Sequence, residues 1–289
     1  HLFFRFMEEY RDVHNSDDIL EGLMKQINNS NMSQRQKESI QRFINDLKIG
    51  KSGKKVKSRR VGAYLQSLLR LNEYFKKDID KLSDKETEKF YQDLQEDKIK
   101  RKNNMPYAQA SKDELTKALK RYLGWSWGKD SKKYSASVRW MKEDYKKSDK
   151  KAITLEQAKE VIDKKKFTES YHKNLKIRDK CLFIFLFDSG ARIEEALNVK
   201  ISDLKTIGKD KQEYFMVHLR GQKTEEADRT IAIPLVTKYL NDWLKVHPTK
   251  EENDFLFPIN YGNARKIIRV MTKDVLKFVL KPHELRHSS

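Results

Sequence analysis

A few residues have types and spacings that could handle a phosphate. In "PHELRH" (282–287), Pro282 suits the first turn of a helix. His283 and Arg286 are three apart and lie side by side on that helix, with His287 on the same side and Leu285 opposite, toward a core. Arginine keeps its charge at any working pH and offers an anion a planar fork, while histidine can accept or give a proton near neutrality. In "DSGARIEEALNV" (188–199), Gly190 permits a sharp break and a helix is predicted to begin around Arg192. An arginine in a first helical turn stands beside free backbone N–H groups and the positive end of the helix dipole, which together favour an anion. Arg192 and Glu195 share a face, so Glu195 can orient or charge-balance Arg192, whereas Glu194 is expected to face solvent. Taken alone, the pair also reads as an ordinary surface ion pair. In "GQKTEEADR" (221–229), Lys223 falls at the lip of a predicted hairpin. There it could swing over a cleft and donate a proton, or stay solvated. The histidines lack carboxylate or cysteine company at a ligand spacing, so neither metal nor cofactor is expected.

These residues need elements to position them. The stretch up to about residue 146 reads as helices separated by polar turns. "SIQRFINDLKIG" (39–50) spaces Ile40, Phe43, Ile44 and Leu47 on one helical face and stops at Gly50. "VGAYLQSLLRLNEYF" (61–75), "DKETEKFYQDLQE" (84–96) and "SKDELTKALKRYLGW" (111–125) continue the helical pattern, and Trp125 and Trp127 read as a core cluster at a helix end. Between the first two lies "KSGKKVKSRR" (51–60), with six basic residues and no acidic one. Lys54, Lys55, Lys57, Arg59 and Arg60 are expected to follow a DNA backbone, against the plainer reading of a solvated loop.

Beyond a lysine-rich stretch the pattern changes. Thr154 and Gln157 have capping-box spacing, and "IRDKCLFIFLFDSG" (177–190) reads as a buried helix. "EYFMVHLRGQK" (213–223) alternates Phe215, Val217 and Leu219 against His218 and Arg220, and pairs as a hairpin with "DRTIAIP" (228–234) through "TEEA". "LVTKYLNDWLKV" (235–246) and "NARKIIRVMTKDVLKFV" (263–279) are helical again. The expected fold class is mainly α with one small antiparallel β-sheet. It is divided into a helical domain (1–146), a linker (147–152) and a second domain (153–289).

Lys plus Arg outnumber Asp plus Glu by 62 to 43, for a net charge of +19 in 289 residues. That excess favours a polyanionic partner, most plainly nucleic acid. The one cysteine, Cys181, sits in an apolar run and is read as a buried, inert side chain; it excludes a disulfide framework and cysteine-rich zinc sites. No apolar run has the length to span a bilayer. An intracellular, cytoplasmic setting is expected, and His1 in place of a methionine suggests a fragment.

In order, "SGARIEEALNVKISDL" (189–204), a strand–Lys–strand hairpin ending "IAIPL", and "HELRH" strongly resemble the catalytic domain of the tyrosine recombinases, the phage integrase family. The resemblance covers about residues 152 to 289. By position and class only, the helical half is similar to that family's core-binding (SAM-like) domain. Arg192 matches the arginine of the family's Gly-x-Arg-x-x-Glu motif, Glu195 its acidic partner, Lys223 the hairpin lysine, and His283 and Arg286 the His-x-x-Arg motif. The resemblance implies DNA recombination or integration by metal-independent phosphodiester transesterification. A tyrosine attacks, a 3′-phosphotyrosyl link forms, and the protein works as a tetramer assembled on double-stranded DNA. In that family a further His or Trp and then the nucleophilic tyrosine follow His-x-x-Arg. Here the last tyrosine is Tyr261, so the chain as given is expected to be cut short before its nucleophile and inactive in cleavage. A non-catalytic DNA-binding protein on the same scaffold and a type IB topoisomerase are the alternatives.

Overall fold

The structure, a computed structural model, describes residues 11–51, 53–144, 151–168, 170–208, 213–221, 228–249 and 251–286. The chain divides into two compact units: Asn15–Ser148, and a second in which residues 11–14 join Asp149–Ser289. The start of the helical unit therefore differs from the expected 1–146. The cause lies far away in sequence. Arg11 Nη2 donates to the carbonyls of Leu197, Phe257 and Ile259 at 2.7, 3.2 and 3.0 Å, and Val13 is 3% exposed within the C-terminal core.

The unit Asn15–Ser148 is built from α1 (Ser16–Asn28), α2 (Gln34–Ile49), α3 (Ser58–Phe75), α4 (Asp84–Gln95) and α5 (Gln109–Trp127), followed by a short helical turn and a π-type turn at Ser135–Arg139. Ile40, Phe43, Ile44 and Leu47 of α2 are all buried, as their spacing requires, while Ile49 at its end is exposed. Gly50 ends α2 at φ 80°, where a Cβ would stand 2.9 Å from the carbonyl oxygen of Gly53. Ser83 and Glu86 form a full capping box on α4. Tyr122 is fully buried, donates to Ser39 Oγ at 2.8 Å and accepts from Gln36 at 3.0 Å. Trp125 donates to Asp46 at 2.9 Å and Trp127 to the Asp80 carbonyl at 2.8 Å, so both indoles are occupied inside the unit. The sequence pattern did not single out α1, although Leu20, Leu23 and Ile27 are buried along it at helical spacing.

The C-terminal unit runs α6 (Leu155–Lys164), α7 (Lys173–Ser189), α8 (Ile193–Leu197), β1 (Leu204–Ile207), β2 (Tyr214–Leu219), β3 (Arg229–Ile233), α9 (Thr237–Val246), α10 (Tyr261–Leu276) and α11 (Pro282–Leu285). Thr154 and Gln157 form the expected capping box on α6. Every residue of α7 from Cys181 to Phe187 is buried, which explains its apolar character on all sides. The sheet is antiparallel in the order β1–β2–β3. Phe215, Val217 and Leu219 face the core in alternation, with Phe215 opposite Ile233 and Val217 opposite Ile231. The hairpin thus supplies the central strand, β2, and one edge, β3, of a three-stranded sheet. Strand β1 was not anticipated because three of its four residues are exposed and carry no apolar alternation. Among the described residues, no helix is long and apolar enough to cross a membrane.

Candidate functional site

Three segments of the C-terminal unit line one cleft of about 570 Å³: Arg192, Ile193 and Glu194 at the start of α8, Tyr261 at the start of α10, and His283 and Arg286 on and just after α11. Each is placed by local chain geometry. Gly190 turns the chain out of α7 at φ 56°, leaving Arg192 as the residue that precedes α8. Pro282 opens α11, Leu285 is fully buried and anchors it, and His283 is left exposed. Asn260 caps α10 by accepting from the Asn263 N–H at 2.8 Å. The two arginines and the histidine that the sequence singled out therefore meet at one concave surface, although 91 residues separate Arg192 from His283.

Glu195 is the structural centre of this arrangement. Its side chain is fully buried, and it accepts from the Arg192 guanidinium at 2.7 Å, the Arg192 N–H at 2.8 Å and the Arg229 guanidinium at 2.8 Å. Burial alone would push its carboxyl pKa up; the hydrogen bonds from Arg229 and Arg192 outweigh that, and the group is held below the usual carboxylate range. The Arg192 side chain is 57% exposed, so one edge of its guanidinium is fixed while the rest can meet an anion. Two expectations change here. The backbone N–H of Arg192 is taken by Glu195, and α8 spans only the five residues Ile193–Leu197, so the helix start does not offer the Arg192 N–H that the sequence suggested for an anion. Glu194 does not face open solvent: its side chain is 18% exposed, lines the cleft and pairs with His14.

Arg229, which the sequence reading passed over, ties strand β3 to the Arg192–Glu195 pair. The base of the hairpin is held from both sides. Arg220 grips Asp203 with two hydrogen bonds at 2.6 and 2.5 Å, and the Gly221 N–H donates to Asp228 at 2.5 Å. Lys223 and the "TEEA" connection lie outside the described residues, as does His287. Among the described residues, no three His, Cys, Asp or Glu side chains gather as a metal ion would need.

In the basic stretch, Lys54, Lys55, Lys57 and Arg59 are exposed. Arg60 is engaged internally: it is hydrogen-bonded to Glu114, and its guanidinium stacks 4.5 Å from the Tyr64 ring centre. Arg59 and Arg60 belong to the first turn of α3, which starts at Ser58, three residues before the predicted helix, because nothing between 58 and 61 opposes helix formation.

Comparison with known proteins points to the same part of the chain. Residues 151–289 match the profile of the phage integrase family. The chain is 30% identical over 126 residues to a tyrosine recombinase XerC from Psychromonas ingrahamii, an alignment that covers 39% of this chain and 39% of that protein. Its fold is similar to that of the XerH site-specific recombinase solved on its difH substrate, with a TM-score of 0.56 and 17% identity over 93% of this chain and 82% of that one. It is similar also to a lambda integrase dimer bound to a COC′ core site, with a TM-score of 0.56 and 15% identity over 86% of each chain. Family profile and relative coincide with the ordered motifs, two of which meet at the cleft: residues 151–289 belong to the phage integrase family of tyrosine recombinases.

Proposed function

We propose that the chain is a site-specific DNA recombinase or integrase whose cleft holds one scissile phosphodiester of double-stranded DNA. The observation that carries the reading is that Arg192, His283 and Arg286, from distant parts of the sequence, line a single cleft. In the proposed reaction a tyrosine hydroxyl oxygen attacks phosphorus and the bond from phosphorus to the 5′ oxygen breaks, leaving a 3′-phosphotyrosyl link. Arg192 and Arg286 grip the non-bridging oxygens and offset the charge that builds in the pentavalent transition state. His283 assists proton transfer at the nucleophile, and Lys223 protonates the departing 5′ oxygen. Glu195 and Arg229 hold Arg192 in place. Both arginines are permanently charged, so the proposed mechanism needs no metal ion to neutralise the phosphate. Lys54, Lys55, Lys57 and Arg59 are proposed to contact the DNA backbone, and the working form is proposed to be a tetramer on DNA.

No tyrosine follows His283 in these 289 residues, so the covalent step is not assigned to a residue of this chain. A nicked suicide duplex tests both parts. In a form that carries the nucleophile it is expected to trap a covalent protein–DNA band that Arg192→Ala or Arg286→Ala abolishes, while gel-shift affinity stays within about threefold. Normal strand transfer by either variant overturns the assignment. The 289-residue chain is expected to shift the duplex without a covalent band; a band lost in Tyr261→Phe would transfer the nucleophile's role to that residue.

A further inference from the structure

A carboxylate in an anion-binding cleft needs an explanation. Glu194 lines the same cleft as Arg192 and Arg286, and a full negative charge within a few ångström of a phosphate opposes its binding. The structure sets His14 against this carboxylate. His14 Nε2 is hydrogen-bonded to Glu194, and the His14 ring packs at a tilt of 41° against Tyr261, another lining residue, with centroids 4.2 Å apart.

His14 is not there by loose contact. The segment that carries it is fastened to the C-terminal unit through Arg11 and Val13. The Arg11 N–H donates to Asn198 Oδ1 at 2.6 Å, and Asn198 Nδ2 donates to the Arg11 carbonyl at 3.2 Å. The Arg11 guanidinium reaches three backbone carbonyls and lies 4.3 Å from the Phe255 ring centre. The Asp12 carboxylate accepts the His14 N–H at 3.0 Å. Val13 is buried, and its carbonyl accepts the Tyr261 N–H at 2.9 Å. The strap thus bonds directly to two of the lining residues, the acidic Glu194 and Tyr261.

We infer that His14 is a positioning residue of the cleft: by donating to Glu194 it offsets and directs that carboxylate away from the bound anion, so the N-terminal strap completes a site otherwise built from residues 192–286. The inference rests on the phosphate reading of the cleft. With Glu194 ionised, the contact requires the proton on His14 Nε2, which either the imidazolium or one neutral tautomer provides.

Inorganic phosphate titrated into the intact 289-residue chain and followed by ³¹P NMR tests this. Arg192→Ala and Arg286→Ala are expected to weaken phosphate binding more than tenfold. His14→Ala is expected to weaken it about tenfold, and His14→Gln, whose amide can still donate to Glu194, by less than about threefold. The decisive variant is the double substitution His14→Ala with Glu194→Gln, which is expected to return to within about twofold of the wild type because the repelling charge is gone. A purely structural strap predicts no such rescue. Phosphate affinity unchanged in His14→Ala, or a double variant as weak as the single one, overturns the role of His14. Phosphate binding indifferent to Arg192→Ala and Arg286→Ala overturns the cleft reading itself and this inference with it.

Discussion

Glu195 shows how a single side chain can set the geometry of a cleft it does not line. Its carboxylate is fully buried and shared by two guanidinium groups and one N–H. Removing it strips two part-exposed guanidinium groups and one N–H of their shared acceptor. Glu195→Ala is therefore expected to destabilise the C-terminal unit by roughly 2–4 kcal/mol, read from urea unfolding. The pH dependence follows from the depressed carboxyl. Its stabilising share is complete above the ordinary value of 4.5 and is lost as pH falls through its lower folded value. The stability gap between wild type and Glu195→Gln should thus be widest above pH 4.5 and shrink in acid; a gap that grows on acidification contradicts the arrangement. Cys181 shows the opposite case. Burial pushes its thiol well above the ordinary range, so it is expected to resist iodoacetamide in the native protein and to react only on unfolding.

At the scale of elements, short pieces present the candidate residues and one long helix supports them. α8 and α11 have five and four residues, too few to persist as isolated helices. Both pack on α7, whose seven consecutive buried residues supply the surface beneath them. Phe185 is fully buried and meets Phe257 edge-on at 5.5 Å. Phe185→Ala is expected to cost roughly 3–5 kcal/mol by opening a cavity there, and to weaken phosphate binding together with stability as the cleft loses its support. In the helical unit, Glu86 completes the α4 capping box, accepts from Lys77 and has its carboxyl lowered to about 2, with the Lys77 hydrogen bond the largest cause. Its contribution is full above 4.5 and lost as pH falls through about 2. A carboxyl resonance of Glu86 titrating near 4.5 would show that the box does not persist in solution.

For the whole molecule the governing quantity is the +19 net charge. If DNA is the partner, affinity should fall steeply with added salt as counterions are released. Replacing Lys54, Lys55 and Lys57 together by alanine should reduce the slope of log K against log salt by about 3 and weaken all duplexes alike, because phosphate contacts carry no sequence information. An unchanged slope would return this stretch to the status of a solvated loop.

Much of this was legible in the sequence because it depends on neighbours along the chain. Helical spacing of Ile40, Phe43, Ile44 and Leu47, the Thr154–Gln157 cap, alternation in β2 and the stop at Gly190 are local patterns, and the elements formed where those patterns lie. The motif residues Arg192, His283 and Arg286 were legible too, since helix spacing alone puts His283 beside Arg286. Local pattern could not indicate which distant groups would compete for them. Glu195 was visible as a partner of Arg192, but its second guanidinium, Arg229, comes from a strand 34 residues away. Glu194 was expected in solvent, and only the fold brings a histidine from 180 residues upstream to it. Spacing decides which side chains share a face. Which charges share a low-dielectric cleft is a property of three-dimensional packing, and here that packing placed Arg11, Val13 and His14 beside residues from the other end of the chain.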